Sequence, residues 1–125
     1  MTERVQAAPE GHETPSGPSR EDLCRWYGLM HLGRILDNKA PNYLKQALGW
    51  SYHAPCAGHD GIQLALGLTF RANQDFLFPY YRDLLTVLAG GITPEEIILN
   101  GISQDTDVAG GGRPVSNSYI KQPSE

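Results

Sequence analysis

The chain has 125 residues, 40% hydrophobic and 19% charged, with a formal net charge of -4, which suits one soluble globular domain with a modest core. No apolar run approaches the roughly 20 residues of a membrane-spanning helix, and the acidic balance argues against a nucleic-acid partner. Two cysteines, Cys24 and Cys56, with no Cys-x-x-Cys pair, argue against a disulfide scaffold and make a reducing cytoplasm the expected setting.

Residues 1–18 are rich in Pro, Gly, Glu and Ser and have no apolar period; they are expected to form a disordered tail. The tail has neither the basic-then-apolar order of a secretory signal nor the acid-poor amphipath of a mitochondrial presequence. Residues 19–125 are read as a single unit without internal repeats. Ser19 and Asp22 form a capping pair that opens a helix. Its apolar positions, Leu23, Trp26, Tyr27, Met30, Leu32, Ile35, Leu36, Ala40, Tyr43, Leu44 and Ala47, follow helical spacing. Pro41 predicts a kink or restart, and Gly49 a stop. Gly28 and Gly33 cost helix propensity, about 1 kcal/mol each; close packing and simple tolerance both account for them.

An extended or loop segment follows at 50–55. Residues 57–70, "AGHDGIQLALGLTF", predict a second helix, apolar nearly all round and therefore buried. "DFLF" (75–78) is expected to be a short buried strand or extended segment. A third helix is expected from Tyr80 to about Ala89, halted by Gly90 and Gly91. "TPEE" opens a fourth, with Thr93 as cap, Pro94 at the first helical position and Glu96 reaching back; Ile97, Ile98 and Leu99 go inward. From Ser103 onward the chain reads as loop. The expected class is mainly α with one or two short extended segments. These elements do not obviously close a core, so the chain reads as the front part of something larger.

Three stretches have the residue types for chemistry. His53, Cys56, His59 and Asp60 are metal-ligand types, but only His53-x-x-Cys56 has a ligand spacing and no second pair follows. The stretch reads better as a turn that starts a helix, with Asp60 near its positive end. Residues 109–114, "AGGGRP", lack the phosphate-loop order and read as a flexible turn. In "FPYYRD" (78–83) an arginine falls at an expected helix start, where a positive charge is unfavourable unless an anion is present. Helix-start amides and a guanidinium fork suit a phosphate, and Tyr80 and Tyr81 suit a ring. The alternative is a surface Arg82–Asp83 cluster beside two half-buried tyrosines.

"SYHAPCAGHDGIQLALGL", "DFLFPYYRDLLTVLAGGITPEEI" and "GGGRPVSN", in this order, resemble the alpha subunits of thiamine-diphosphate-dependent 2-oxo acid dehydrogenases. The branched-chain 2-oxoisovalerate type is the nearest likeness, and the resemblance covers about residues 21–120. It implies an N-terminal portion of that family's doubly wound α/β fold. It also implies oxidative decarboxylation of a 2-oxo acid with acyl transfer to a lipoyl group, thiamine diphosphate and Mg2+ as cofactors, and a beta subunit and a lipoyl acyltransferase component as partners. By match, Arg82 would hold the diphosphate, Tyr81 would line the thiazolium and substrate, and Tyr52 would touch the substrate's alkyl end.

The chain also departs from the family. Ser118 stands where the family's substrate-facing histidine belongs, and Val115 where it has methionine. The Gly-Asp-Gly…Asn signature that holds magnesium and diphosphate is absent, and the glutamate that activates the cofactor belongs to the beta subunit. The resemblance therefore implies one wall of a site, inactive alone. The alternatives are a non-catalytic module that docks on a beta subunit and a truncated or split gene product.

Overall fold

The computed structural model describes residues 17–46, 52–71 and 73–113. Four helices occur among them, α1 Arg20–Lys45, α2 Asp60–Thr69, α3 Leu84–Ala89 and α4 Pro94–Gly101, and no strand. The class is mainly α, as the sequence implies. Except for Gly17 and Pro18, the expected tail over 1–18 lies outside the described residues, and so do Ala47, Gly49, Val115 and Ser118.

Local chemistry sets both ends of α1. The Asp22 amide donates to Ser19 Oγ at 3.0 Å, and the Ser19 amide donates to Asp22 Oδ2 at 3.1 Å. These bonds satisfy donors that a helix start leaves open. The helix ends with Gln46 as its cap. The break expected at Pro41 does not occur: α1 is one helix of 26 residues. Proline withdraws a single amide, the one that would bond the Asp37 carbonyl. That loss lies near the helix end, beside the fully packed Ala40.

The buried stripe of α1 is Gly33, Leu36, Asp37 and Ala40, at helical spacing. Gly33 faces α3 closely, since a Cβ there would lie 3.2 Å from Leu85 Cδ1. Gly28 faces open space. Close packing therefore accounts for one glycine and tolerance for the other.

The centre of the core is α3, whose Leu84, Leu85, Thr86, Val87 and Leu88 are all buried. Leu36 and Ala40 of α1, Leu64 of α2 and Ile97 of α4 pack around it, together with Cys56 and Ile92 from the connections. The expectation that α2 is buried all round is overturned. Only Gln63, Leu64 and Gly67 are buried, and Ile62 and Leu66 are 61% and 54% exposed. The helix is largely apolar, but α1 and α3 cover only one face of it among the described residues. "DFLF" is likewise neither strand nor buried: Phe76 and Phe78 are each 90% exposed, because no described segment pairs with it or covers it.

The third helix starts four residues later than expected, at Leu84 rather than Tyr80. The Tyr80 amide donates to Asp83 Oδ2 at 2.8 Å, and the Asp83 amide donates to the Tyr80 carbonyl at 2.8 Å. The short acidic side chain makes a local turn that competes with helix. The fourth helix opens as read: the Thr93 amide donates to Glu96 Oε2 at 2.7 Å and the Glu96 amide to Thr93 Oγ1 at 3.2 Å. Ile97 is fully buried, while Ile98 and Leu99 are half-buried.

The loop after α4 is a turn, as expected, and it is organised by the buried Asp107. Its Oδ1 accepts from Asn100 Nδ2 at 3.2 Å and the Ala109 amide at 3.1 Å, and its Oδ2 accepts from the Gly112 amide at 3.4 Å. Gly112 has φ 72°, and a Cβ there would collide with the Ser103 carbonyl. The position therefore requires glycine. Among the described residues no helix is long and apolar enough to cross a membrane.

Helices α2 and α3 approach closely at Gly67, where a Cβ would lie 2.5 Å from the Thr86 carbonyl oxygen and 2.6 Å from Ala89 Cβ. Backbone cannot yield cheaply, so Gly67→Ala should destabilise the chain by about 1–3 kcal/mol. Gly28→Ala, in open space, should stabilise it by up to about 1 kcal/mol. Urea unfolding followed by circular dichroism measures both, and equal effects would contradict this packing.

Candidate functional site

Two buried polar side chains build the site, and neither is on an exposed face. Asp37 on α1 is almost fully buried, and its Oδ1 accepts from the Cys56 amide at 3.2 Å. His53 Nε2 lies 3.3 Å from the same oxygen. Arg34, one turn earlier, bonds Asp60 Oδ2 at 2.6 Å and stands 3.9 Å from Asp37 Oδ2. Asp60 also accepts the Gly58 amide at 3.1 Å. Together these contacts hold residues 52–60 against α1. Four residues read as metal-ligand types are thereby accounted for. His53 and Cys56 bind Asp37, Asp60 binds Arg34, and His59 is an exposed cap. Among the described residues no group of three or more His, Cys, Asp or Glu is placed to hold a metal ion.

The second organiser is Gln63 on α2, 3% exposed. Its Nε2 donates to the Arg82 carbonyl at 2.8 Å, and its Oε1 accepts from the Leu85 amide at 3.1 Å. One side chain thus spans the turn that carries Tyr81 and Arg82 into α3.

The two anchored segments bring Tyr52, Tyr80, Tyr81 and Arg82 together. The Tyr52 and Tyr81 rings meet edge-on, with centroids 5.3 Å apart and planes at 80°. Tyr80 and Tyr81 lie 3.9 Å apart and tilted by 40°. The Arg82 guanidinium carbon sits 5.1 Å from the Tyr81 centroid and 5.8 Å from that of Tyr80, within the range of cation–π attraction. The Tyr52 phenol is held above its ordinary pKa, first by a hydrogen bond with Tyr81 and then by partial desolvation.

The arrangement differs from the expected clamp in one respect. Tyr81 and Arg82 lie in a turn, not in the first turn of a helix. The Leu85 amide, one of the helix-start donors, is already used by Gln63. The Arg82–Asp83 surface pair does not form either. Asp83 accepts the Tyr80 amide, and no carboxylate among the described residues pairs with Arg82. What remains is a guanidinium set among three phenols, bonded to that of Tyr52 and without a carboxylate partner among the described residues. That donor set suits an anion attached to a flat ring.

Sequence reasoning singled out Tyr52, Tyr81 and Arg82 and missed Arg34, Asp37 and Gln63. A signal for the last two is present. Asp37 falls on the buried stripe of α1, and Gln63 is a polar residue inside the apolar run "GIQLALGL". Buried polar positions of this kind carry a hydrogen-bonding task.

Comparison with known proteins places this geometry in context. The chain is 30% identical over 103 residues to the 2-oxoisovalerate dehydrogenase subunit alpha of Bacillus subtilis, a match covering 82% of this chain and 31% of that subunit. It is 32% identical over 96 residues to the 3-methyl-2-oxobutanoate dehydrogenase subunit alpha of Mycobacterium tuberculosis, covering 71% of this chain and 25% of that subunit. The chain is homologous to dehydrogenase alpha subunits. It spans less than a third of the length of these curated relatives. No family model matches it, and no solved structure does. In this homologue the aromatic–arginine cluster is built from both sides, by α1 through Asp37 and by α2 through Gln63.

Cys56 lies inside the Asp37 anchor, and burial foremost, then the Asp37 charge, pushes its thiol up to about 12 from an ordinary 9.0. The unfolded thiol ionises first, so the associated stability is present below about pH 9 and is lost as pH rises toward 12. Iodoacetamide at about pH 8, near the range where an ordinary thiol becomes reactive, should label the exposed Cys24 and spare Cys56. Labelling at equal rates would contradict the buried anchor.

Proposed function

We propose that this chain forms one wall of the cofactor and substrate site of an alpha-type 2-oxo acid dehydrogenase component, working with a beta subunit and a lipoyl acyltransferase. The convergence of Tyr52 with Tyr81 and Arg82 carries the reading, since Tyr52 and the Tyr81–Arg82 turn come from two separate segments that meet only in the folded chain. Homology to 2-oxoisovalerate and 3-methyl-2-oxobutanoate dehydrogenase alpha subunits supports it. The remainder of the doubly wound α/β fold would complete the site. The setting is the cytoplasm, in keeping with two free cysteines.

Thiamine diphosphate, when bound, supplies the nucleophilic carbon at which a 2-oxo acid is decarboxylated. Arg82, which has no carboxylate partner among the described residues, would provide a planar fork for the diphosphate oxygens through charge-assisted contacts. Tyr81 would pack against the ring end and offer a hydroxyl to the substrate. Tyr52 would form the outer wall against the substrate's alkyl end. Ser118, at the position of the family's histidine, would face the substrate with a hydroxyl that does not titrate as histidine does. Magnesium finds no ligand cluster among the described residues.

A second reading rests on the exposed apolar side chains of Ile62, Leu66, Phe76 and Phe78. Such exposure is typical of surfaces that another chain covers. On that reading the chain is a non-catalytic module docking on a beta subunit, and it would co-purify with that subunit without supporting turnover.

The test is a chimera in which residues 19–113 replace the matching stretch of the Bacillus subtilis alpha subunit, co-expressed with its beta subunit. The chimera should turn over 2-oxoisovalerate. Arg82→Ala should raise the thiamine diphosphate requirement about tenfold or more, the size of one charged hydrogen bond. Arg82→Lys should recover part of the loss, and Tyr81→Phe should lower turnover more than cofactor affinity. An active chimera whose cofactor requirement ignores Arg82→Ala would sink the assignment.

A further inference from the structure

The turn that presents Arg82 has no helix to stiffen it. The backbone of residues 80–83 is held by the local Tyr80–Asp83 bonds and, from α2, by the side-chain amide of Gln63, while Tyr52 meets the side chains of the turn from the other direction. That amide donates at one end to the Arg82 carbonyl and accepts at the other from the Leu85 amide. Backbone groups on both sides of the α3 start are therefore tied to α2 by one side chain. At 3% exposure, Gln63 exchanges neither bond for water without cost. Gly67, one turn further along α2, brings the two backbones into contact. The pair fixes both the distance between α2 and α3 and the register of the turn.

We propose that Gln63 is the positioning residue for Arg82, setting the guanidinium over the Tyr80 and Tyr81 rings by clamping the Arg82 carbonyl and the Leu85 amide. The placement of Arg82 stands on the geometry alone. Its consequence for an anionic ligand rests on the cofactor reading above. Gln63 touches no ligand. It acts through the backbone of Arg82, and a side chain there must both donate and accept. Asparagine is too short to span the same two groups, leucine does neither, and methionine fills the space without the bonds.

The experiment is nuclear magnetic resonance of the isotope-labelled full chain, reading the Arg82 side-chain protons. The Tyr80 and Tyr81 rings at 5.8 and 5.1 Å impose ring-current shifts on them. Gln63→Met should abolish these shifts while leaving those of Val87 and Ile97, deeper in the core, in place. Gln63→Glu keeps the length and can donate only while its carboxyl is protonated. In that variant the Arg82 shifts should be present at acid pH and lost as pH rises, relative to the unaltered chain followed over the same range. Arg82 shifts retained in Gln63→Met would overturn the proposal, as would a folded Gln63→Glu chain with no difference in pH profile. If Gln63→Met does not fold, the Gln63→Glu profile decides. In the active chimera, Gln63→Met should raise the cofactor requirement about tenfold, as expected for losing a hydrogen bond that holds a ligating group. Lost ring-current shifts with an unchanged cofactor requirement would overturn the cofactor role of Arg82 and leave the clamp standing.

Discussion

The close seam between α2 and α3 is the constraint on which the other features depend. At Gly67 the two helices meet with no room for a side chain, and one turn away Gln63 replaces water for two backbone groups of the incoming turn. With the seam closed, α3 can be buried on every side although it is only six residues long. A helix that short has no stability of its own. It persists because α1, α2 and α4 pack around it.

A second anchor does the same for the segment that carries Tyr52. Asp37 is a buried carboxylate, and burying it is tolerable because the Cys56 amide, His53 and the neighbouring Arg34 face it. Its partners lie at residues 53 and 56, next to Tyr52. The aromatic–arginine cluster is thus held from two directions by side chains that never reach its surface. The cluster itself is exposed and polar at its rim, as a ligand-facing wall should be. Phe76 and Phe78, a few residues earlier in the chain, are exposed apolar side chains that another chain could cover.

Helix starts were readable from the sequence because they depend on residues a few positions apart. Ser19 with Asp22, and Thr93 with Pro94 and Glu96, do what their chemistry dictates wherever they stand. The start at Leu84 was not readable, because Asp83 chose between extending a helix and closing a turn, and Gln63, far away in the chain, favoured the turn. Which of two largely apolar helices lies at the centre was also hidden. Composition makes α2 and α3 equally suited to burial, and the number of neighbours decides. For the site, "FPYYRD" pointed to Arg82 and Tyr81, and family likeness added Tyr52. The anchors Asp37 and Gln63 escaped because a polar residue on a buried stripe is conspicuous only once the stripe is known to be buried.

The central claim is that Tyr52 and the Tyr81–Arg82 turn form one cluster in the folded chain. Nuclear Overhauser contacts between the Tyr52 and Tyr81 ring protons measure this most directly. At a centroid separation of 5.3 Å in an edge-on arrangement, clear cross-peaks between the two rings are expected. Their absence in a chain whose four helices are intact would show that the cluster does not form and would contradict the account.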